Sequence, residues 1–362
     1  MKRPGLLFVC LVAVCLSSGC ASSPVDVDAT VTSVAADVFA TQTAAPPTPT
    51  VGPIHLEADG SGEYATLEEA VQNAPEGAAL ILGSGSYYLA QPLAINKSLH
   101  LVGAGMGRTE IVSEAEGYVI RFSGAGPFSA EGVTFRHQGQ AVADVVIVDG
   151  GVVSLAHCRF TGAVSGEGGD EGVGLWLRGE ANGLAQGCVV EGNGIGIRVS
   201  EQARPSLERN LCAHNAGAGI AYLDDGGGLA RQNECSENGS VGILVAGRAE
   251  PTLEDNLCAD NGDVGIAYSD DGGGLARQNE CLWNGVNGIR VGGQAGPTLT
   301  ENLCANNESA GISYVDSAGG VARQNECAEN GGVDIYVAET AAPDLGRNDC
   351  DVYLSEPEEA SQ

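Results

Sequence analysis

Two aspartate pairs, each followed by three glycines, have the residue types and the spacing that could do chemistry. Asp224–Asp225 and Asp270–Asp271 lie 46 residues apart in the chain. Oxygen-rich loops of this kind suit Ca²⁺, and paired carboxylates can also work as general acid and base. Aspartate–glycine turns form for purely structural reasons as well. A structural turn, a calcium site and a catalytic pair therefore all stay open at these positions.

A tryptophan and an irregular glycine-rich segment are the candidates for ligand binding. Trp283 occupies a turn position that other copies of an internal repeat fill with polar residues, so we expect an exposed ring that stacks on a ligand. The segment from Gly166 to Gly172 interrupts the repeat, and its acidic residues predict a binding loop: Glu167, Asp170 and Glu171. Three tyrosines recur in every second copy, and we favour core packing over glycan stacking for them: Tyr222, Tyr268 and Tyr314.

The N-terminus predicts export. Lys2 and Arg3 precede an apolar stretch that is too short to span a bilayer, which is typical of a signal peptide over residues 1–19. Residues 16–20 resemble a bacterial lipobox, and the resemblance implies cleavage before Cys20 and lipidation of its thiol. Residues 20–53 are rich in alanine, threonine and proline and predict a tether. We therefore expect an extracytoplasmic protein that is anchored to the outer membrane or the cell surface.

Net charge limits the possible partners. The formal charge is −30 at pH 7. Such a surface repels nucleic acid and anionic lipid. It also argues against a polyanion such as pectate as ligand, unless a cation mediates the contact.

A 23-residue repeat must position all of these side chains. An asparagine lies two residues before each regular cysteine. In the first six copies another asparagine lies three residues after the cysteine and an isoleucine lies eight residues after it. Turn composition alternates between successive copies, so the full unit is a pair of copies of 46 residues. The regular cysteines lie 23 residues apart: Cys212, Cys235, Cys258, Cys281, Cys304, Cys327 and Cys350.

This period predicts a parallel β-helix over residues 54–353. Short alternating runs without an amphipathic helical pattern fit three strands in each 23-residue coil, and about ten coils would stack at about 4.8 Å. The asparagine columns predict stacked amides inside the turns, and one outer column alternates glutamate with arginine, which fixes the register. Residues 66–69 form a capping box that opens a short helix, which we expect to cover the N-terminal end. Residues 354–362 are predicted to be an acidic tail.

The cysteine columns alternate with apolar columns and should point inward. We favour inert buried thiols, because cysteine packs as a small hydrophobe. Neighbouring coils are close enough for disulfides, and export permits oxidation, so pairing of some cysteines stays open.

The coils resemble the pectin lyase-like superfamily of right-handed β-helix repeat proteins. Residues 59–71 and 103–111 resemble two signatures of pectinesterases, and residues 140–143 match the stretch that holds an oxyanion-stabilising glutamine in that family. Pectinesterases also use two catalytic aspartates and an arginine. Residues 161–166 and 193–197 lack both aspartates at the matching places, and no Gly-Arg-Pro-Trp motif is present. The same superfamily contains glycosidases with paired carboxylates, but their Gly-His-Gly and Arg-Xaa-Lys motifs are missing here as well.

These observations favour a non-catalytic, membrane-anchored lipoprotein whose β-helix binds polysaccharide or acts as a structural spacer. The alternative is a carbohydrate-active enzyme, either a polysaccharide lyase or a diverged pectinesterase. A lyase on this fold would need calcium and a base, and Arg178 and Arg198 are the available residues. No catalytic residue is assigned.

Overall fold

A computed structural model describes residues 52–167 and 172–355, and these residues form a stack of coils with one strand in each of three sheets. All strand pairings within the three sheets are parallel. The predicted all-β parallel β-helix with three strands in each coil is confirmed. Cys20, most of the tether, Asp170, Glu171 and residues 356–362 of the predicted tail lie outside the described residues.

The sheets have 13, 11 and 12 strands, and the chain visits them in that order within each coil. The 13-strand sheet contains Ile54–Leu56, Ala78–Leu82, Leu99–Gly103, Phe128–Glu131, Val152–Ala156, Asn182–Gln186, Arg204–Glu208, Gly227–Arg231, Glu250–Glu254, Leu275–Arg277, Thr298–Thr300, Val321–Arg323 and Asp344–Leu345. The 11-strand sheet contains Gly85–Leu89, Thr109–Ser113, Thr134–His137, Arg159–Thr161, Val189–Glu191, Leu211–Ala213, Glu234–Ser236, Leu257–Ala259, Glu280–Leu282, Leu303–Ala305 and Glu326–Ala328. The 12-strand sheet contains Leu93–Ile95, Gly117–Phe122, Ala143–Asp149, Val173–Arg178, Ile195–Val199, Ile220–Tyr222, Val241–Val245, Val264–Tyr268, Asn287–Val291, Ile312–Tyr314, Ile335–Val337 and Val352–Leu354.

The 13 strands of the first sheet indicate more coils than the about ten that the repeat predicted. Coils before Cys188 differ in length, and the cysteine and asparagine columns do not extend through them in register. The 23-residue spacing therefore does not give the number of these early coils, although their strands continue the same three sheets.

Left-handed corners turn the chain between sheets. In the regular coils one residue with φ near +55° follows each strand of the 11-strand sheet, and others follow the strands of the other two sheets. These corner residues keep their place in the parallel pairing: the Trp283 N–H, for example, donates to the Ala305 carbonyl of the next coil at 3.2 Å. A non-glycine residue in this region costs about 1 kcal/mol or more, so other contacts at each corner must offset that strain.

Two buried asparagine ladders provide those contacts at the corners that follow the 13-strand and 11-strand sheets, and the predicted amide stacking is confirmed. The Asn256 Nδ2 donates to the Ala230 carbonyl and to the Asn279 Oδ1, each at 2.9 Å. Its own Oδ1 accepts from the backbone N–H and the Nδ2 of Asn233, at 3.0 and 2.9 Å. The same pattern repeats from coil to coil, so the amides hold successive corners in register.

The core confirms the inward orientation of the cysteine and tyrosine columns. Tyr222, Tyr268 and Tyr314 are fully buried, as core packing predicts. Burial raises the pKa of the Cys281 thiol well above its usual value, which makes it a poor nucleophile. Seven of the nine cysteines in the solenoid are free and buried, as predicted. The remaining two, Cys327 and Cys350, form a disulfide between the last two coils with a Cα–Cα distance of 5.0 Å.

One helix, Leu67–Asn73, lies at the N-terminal end of the stack. Leu67, Ala70 and Val71 are buried in the apolar core, which agrees with the predicted cover. Thr66 caps the helix by accepting the Glu69 N–H at 3.1 Å. The Glu69 carboxylate accepts the N–H of Ala65 rather than that of Thr66, at 3.2 Å, so the predicted capping box is displaced by one residue.

Among the described residues, no helix has the length and apolarity to cross a membrane.

Opposite charges on adjacent strands form the predicted ion pairs. Arg231 contacts Glu208 at 3.1 Å, and Arg277 contacts Glu254 at 2.5 Å. These contacts are partly exposed, and each contributes under about 1 kcal/mol. Their main consequence is that a shifted register would separate the paired charges, because Ala230 and Gln232 flank Arg231 in the chain.

Asn256→Ala tests the contribution of a ladder amide. The substitution leaves the Asn233 N–H, the Asn233 Nδ2, the Ala230 carbonyl and the Asn279 Oδ1 short of a buried partner. We expect the free energy of unfolding to fall by at least about 3 kcal/mol, measured by chemical denaturation. Asn348→Ala is the matched control, because this last rung is only partly buried and water can replace its bonds. An equal loss in both variants would contradict a special role for buried amides.

Candidate functional site

The aspartate pairs lie at corners between the 12-strand and 13-strand sheets, where they stabilise the turn. Asp224 and Asp270 are the left-handed residues of their corners. The Asp224 carboxylate accepts the N–H of Glu201 at 3.2 Å, and the Asp270 carboxylate accepts the N–H of Gly247 at 3.1 Å. Each carboxylate therefore caps a backbone N–H of the preceding coil.

The second aspartate of the first pair forms an ion pair. The Arg248 guanidinium donates from Nε and Nη2 to the two oxygens of Asp225, at 2.8 and 2.9 Å. These hydrogen bonds lower the pKa of Asp225. No group of three or more metal-binding side chains converges in the described part of the chain. Calcium at these turns stays a prediction, and capping and ion pairing already explain Asp224, Asp225 and Asp270.

Trp283 has the exposure that the sequence predicted. It is the left-handed residue, with φ of 53°, at a corner between the 11-strand and 12-strand sheets. Its side chain is 54% exposed, and Val286, three residues later, is 38% exposed. The same corner position in other coils holds polar residues: His214, Glu237, Asp260, Asn306 and Glu329.

The irregular glycine-rich segment occupies the same type of corner. It follows the strand Arg159–Thr161 of the 11-strand sheet and precedes Val173–Arg178 of the 12-strand sheet. The Ser165 hydroxyl accepts the Gly172 N–H at 3.1 Å and fixes the base of this segment. Glu167 is exposed.

An open groove begins beside this segment. Its volume is about 540 Å³. Its lining includes Ser165, Gly194, His214, Ala216 and Glu237. His214 and Glu237 approach each other to 3.6 Å along it, and both are well exposed.

We define the loop edge as residues 162–167 together with the corners that follow the 11-strand sheet from Gly192 to Glu329. The predicted ligand-binding residues Trp283 and Glu167 both lie on it, about 24 Å apart by the spacing of five coils. The aspartate pairs lie at a different corner of the coils. The structure thus brings the ligand candidates to one edge and separates them from the metal candidates.

A cluster on the outer face of the 12-strand sheet was not predicted as a site. The Arg178 and Arg198 guanidinium carbons lie 4.5 and 4.7 Å from the centre of the Trp176 ring. The Trp176 Nε1 donates to the Ser200 hydroxyl at 2.9 Å. From the sequence, Arg178 and Arg198 are candidates only for the base of a lyase.

Asp149 organises the other side of this cluster. Each of its carboxylate oxygens accepts one hydrogen bond, from the Nε of Arg121 and the Nε of Arg178. Burial raises the pKa of Asp149, but these arginine contacts outweigh the burial and leave the pKa below its usual value. Aligning residues 173–178 with 195–199 would have placed Trp176 beside Arg198 from the sequence alone. Asp149 and Arg121 come from less regular coils and give no such signal.

The chain belongs to the family described as the right-handed β-helix region. The family model matches residues 143–274 and 261–351, which together make up more than half of the chain. The right-handed parallel β-helix that the sequence predicted is therefore confirmed. No curated protein matches the chain in sequence.

Several solved structures share the fold at low sequence identity. The A-module of a mannuronan C-5 epimerase from Azotobacter vinelandii is 16% identical, with a TM-score of 0.60, over 80% of this chain and 92% of that one. The Dettilon tailspike protein is 12% identical, with a TM-score of 0.58, over 81% and 68%. The catalytic unit of an α-1,3-glucanase from Streptomyces thermodiastaticus is 15% identical, with a TM-score of 0.55, over 88% and 71%. At these identities the likeness concerns the fold alone.

Asp270→Asn and Asp270→Ala distinguish a capping carboxylate from a metal ligand. Asparagine keeps an oxygen acceptor and tolerates the left-handed conformation, whereas alanine loses the acceptor. We expect Asp270→Asn to change the free energy of unfolding by less than about 0.5 kcal/mol and Asp270→Ala to lower it by about 1 kcal/mol. We also expect the same melting temperatures with and without calcium. A rise with calcium in the unaltered protein that Asp270→Asn abolishes would make the carboxylate a metal ligand.

Proposed function

We propose that this protein is a non-catalytic, extracytoplasmic β-helix lipoprotein that binds a neutral polysaccharide along the loop edge. The observation that carries the proposal is Trp283, an exposed aromatic residue in a left-handed conformation. A lipid on Cys20 would hold the protein at a bacterial membrane, and the tether would separate the binding edge from that surface.

The folding of its own coil does not require a tryptophan at position 283. The left-handed conformation costs about 1 kcal/mol or more for a bulky residue, while asparagine and aspartate tolerate it better. Trp283 is 54% exposed, so packing of its side chain offsets little of this strain. Asn306 fills the same corner one coil later. A tryptophan is useful here if a sugar ring covers it, because aromatic faces stack on apolar surfaces.

The rest of the loop edge suits a ligand rich in hydroxyl groups. His214, Asp260 and Asn306 are corner residues along one line in every second coil, spaced by two strand separations or about 9.6 Å. Their side chains can donate or accept hydrogen bonds. Carboxylates at Glu237, Asp260 and Glu329 would repel an anionic chain at this edge, which favours a neutral glycan.

The names of two proteins of similar fold refer to polysaccharides, which supports a polysaccharide ligand for this protein. One is a mannuronan epimerase and the other is an α-1,3-glucanase. The enzyme alternative, a polysaccharide lyase or a carbohydrate esterase, has weaker support. Arg178 is held by Asp149, and both Arg178 and Arg198 lie against Trp176. Arginine stays charged in proteins, so neither residue is ready to act as a base.

Trp283→Asn tests the binding proposal with little risk to the fold, because asparagine is the native residue at the next corner. Affinity electrophoresis and a glycan array with the full chain should identify a neutral polysaccharide. For that ligand we expect the variant to bind about tenfold more weakly, which corresponds to about 1.4 kcal/mol. Tyr88→Asn is the matched control, because Tyr88 is 67% exposed and belongs to the strand Gly85–Leu89, away from the loop edge.

Unchanged binding in Trp283→Asn, or an equal loss in Tyr88→Asn, would refute the assignment to the loop edge. Reducing-sugar and methanol-release assays belong in the same experiment. Turnover by the full chain would contradict a non-catalytic role.

Cys20→Ser tests the proposed anchor. Cells that express the full chain should incorporate a labelled fatty acid into the protein, and the variant should lose the label and leave the membrane fraction. Cys15→Ser removes another N-terminal cysteine and should keep both properties. Labelling that persists in Cys20→Ser would refute lipidation at this residue.

A further inference from the structure

The outer face of the 12-strand sheet carries three arginines around one tryptophan. Strand register places Trp176 directly beside Ile147 on one side and Arg198 on the other. Arg121 is the partner of Ile147 in the preceding coil, so it lies in the same outward column. Arg178 follows Trp176 by two residues and therefore projects from the same face.

The arginines are fixed before any ligand arrives. Asp149 uses one oxygen for the Nε of Arg121 and the other for the Nε of Arg178. The ring of Trp176, itself held by the Ser200 hydroxyl, lies against Arg178 and Arg198. Because these contacts restrain the guanidinium groups, a ligand would lose little side-chain entropy on binding.

The contacts leave the terminal guanidinium nitrogens available. Both bonds to Asp149 use Nε, and the Nη atoms of Arg121, Arg178 and Arg198 have no hydrogen-bond partner among the described residues. The side chains of Arg121 and Arg178 are 41% and 24% exposed. The cluster holds three guanidinium groups and one carboxylate, which makes a local positive region on a protein with a formal charge of −30.

We propose that this cluster binds an oxyanion, carried by an acidic sugar residue or free in solution as sulfate or phosphate. Guanidinium groups bind carboxylate, sulfate and phosphate oxygens through paired hydrogen bonds, and this geometry distinguishes arginine from lysine. The cluster lies on a sheet face and the loop edge lies at a corner, so this inference does not depend on the proposed binding of a neutral glycan.

Calorimetric titration of the full chain tests the proposal with four probes. They are a glucuronate oligosaccharide, the glucose oligosaccharide of the same linkage and length, inorganic sulfate and inorganic phosphate. We expect the glucuronate oligosaccharide to bind at least about tenfold more tightly than the neutral one. Additional binding of free sulfate or phosphate would identify a site for small anions, whereas binding of the oligosaccharide alone would identify an anion that is carried by a glycan.

Arg198→Gln is the decisive variant, because Arg198 contacts Trp176 but does not take part in the Asp149 ion pairs. We expect it to weaken oxyanion binding at least about tenfold, and we expect Arg198→Lys to weaken it by a smaller factor because charge remains without the paired donors. Arg290→Gln is the matched control: Arg290 is exposed in the same outward column four coils later. We expect binding within about twofold of the unaltered protein for Arg290→Gln and for Trp283→Asn.

Several results would overturn the proposal. They are no binding of any acidic probe, an equal loss in Arg290→Gln, or an equal loss in Trp283→Asn. The first would remove the site, the second would reduce the effect to general surface charge, and the third would assign the acidic ligand to the loop edge. Melting curves of Arg198→Gln and Arg198→Lys should match that of the unaltered protein, which separates lost binding from lost structure.

Discussion

Register between successive coils is the constraint on which the whole structure depends. A coil of three short strands cannot bury its apolar side chains alone, so it is stable only between two neighbours. The left-handed corners let the chain turn sharply, and the asparagine amides fill the inside of the turn. Asn256, for example, joins carbonyl and amide groups of the coils on both sides. A shift by one residue would break these bonds and would also turn the apolar strand positions outward.

That constraint explains why the most regular polar residues serve the fold. Asp224 and Asp270 resemble metal ligands in sequence, yet their carboxylates cap backbone N–H groups of the preceding coil. The recurring tyrosines fill the core, and most of the cysteine column consists of buried thiols. The proposed binding sites therefore lie where the repeat is broken: at the irregular corner beside Ser165, at the corner that holds Trp283, and around Trp176. The net negative charge of the protein gives no indication of the local arginine cluster. The average composition therefore does not predict which ligands that cluster binds.

The sequence could predict the architecture because a stack of similar coils converts spacing directly into position. The 23-residue columns placed the asparagines, the cysteines, the tyrosines and Trp283 correctly, and the alternating glutamate–arginine column gave the register. The same reasoning failed where coils vary in length. It undercounted the early coils, and it could not align Asp149 with Arg121 and Arg178, because the unequal coil lengths hide the pairing of Asp149 with Arg178 on the adjacent strand. It also could not choose which two cysteines form the disulfide, because every neighbouring pair has the same spacing.

The central claim is that repeated residues maintain the stack while irregular positions on one edge bind the ligand. Hydrogen–deuterium exchange of the full chain, with and without the neutral polysaccharide that it retains most strongly, tests this claim most directly. The account predicts that the ligand adds protection in residues 163–167, 214–216 and 283–286 and adds none in the aspartate–glycine turns at 224–228 and 270–274. Protection that appears at those turns, or that spreads evenly over all coils, would contradict it.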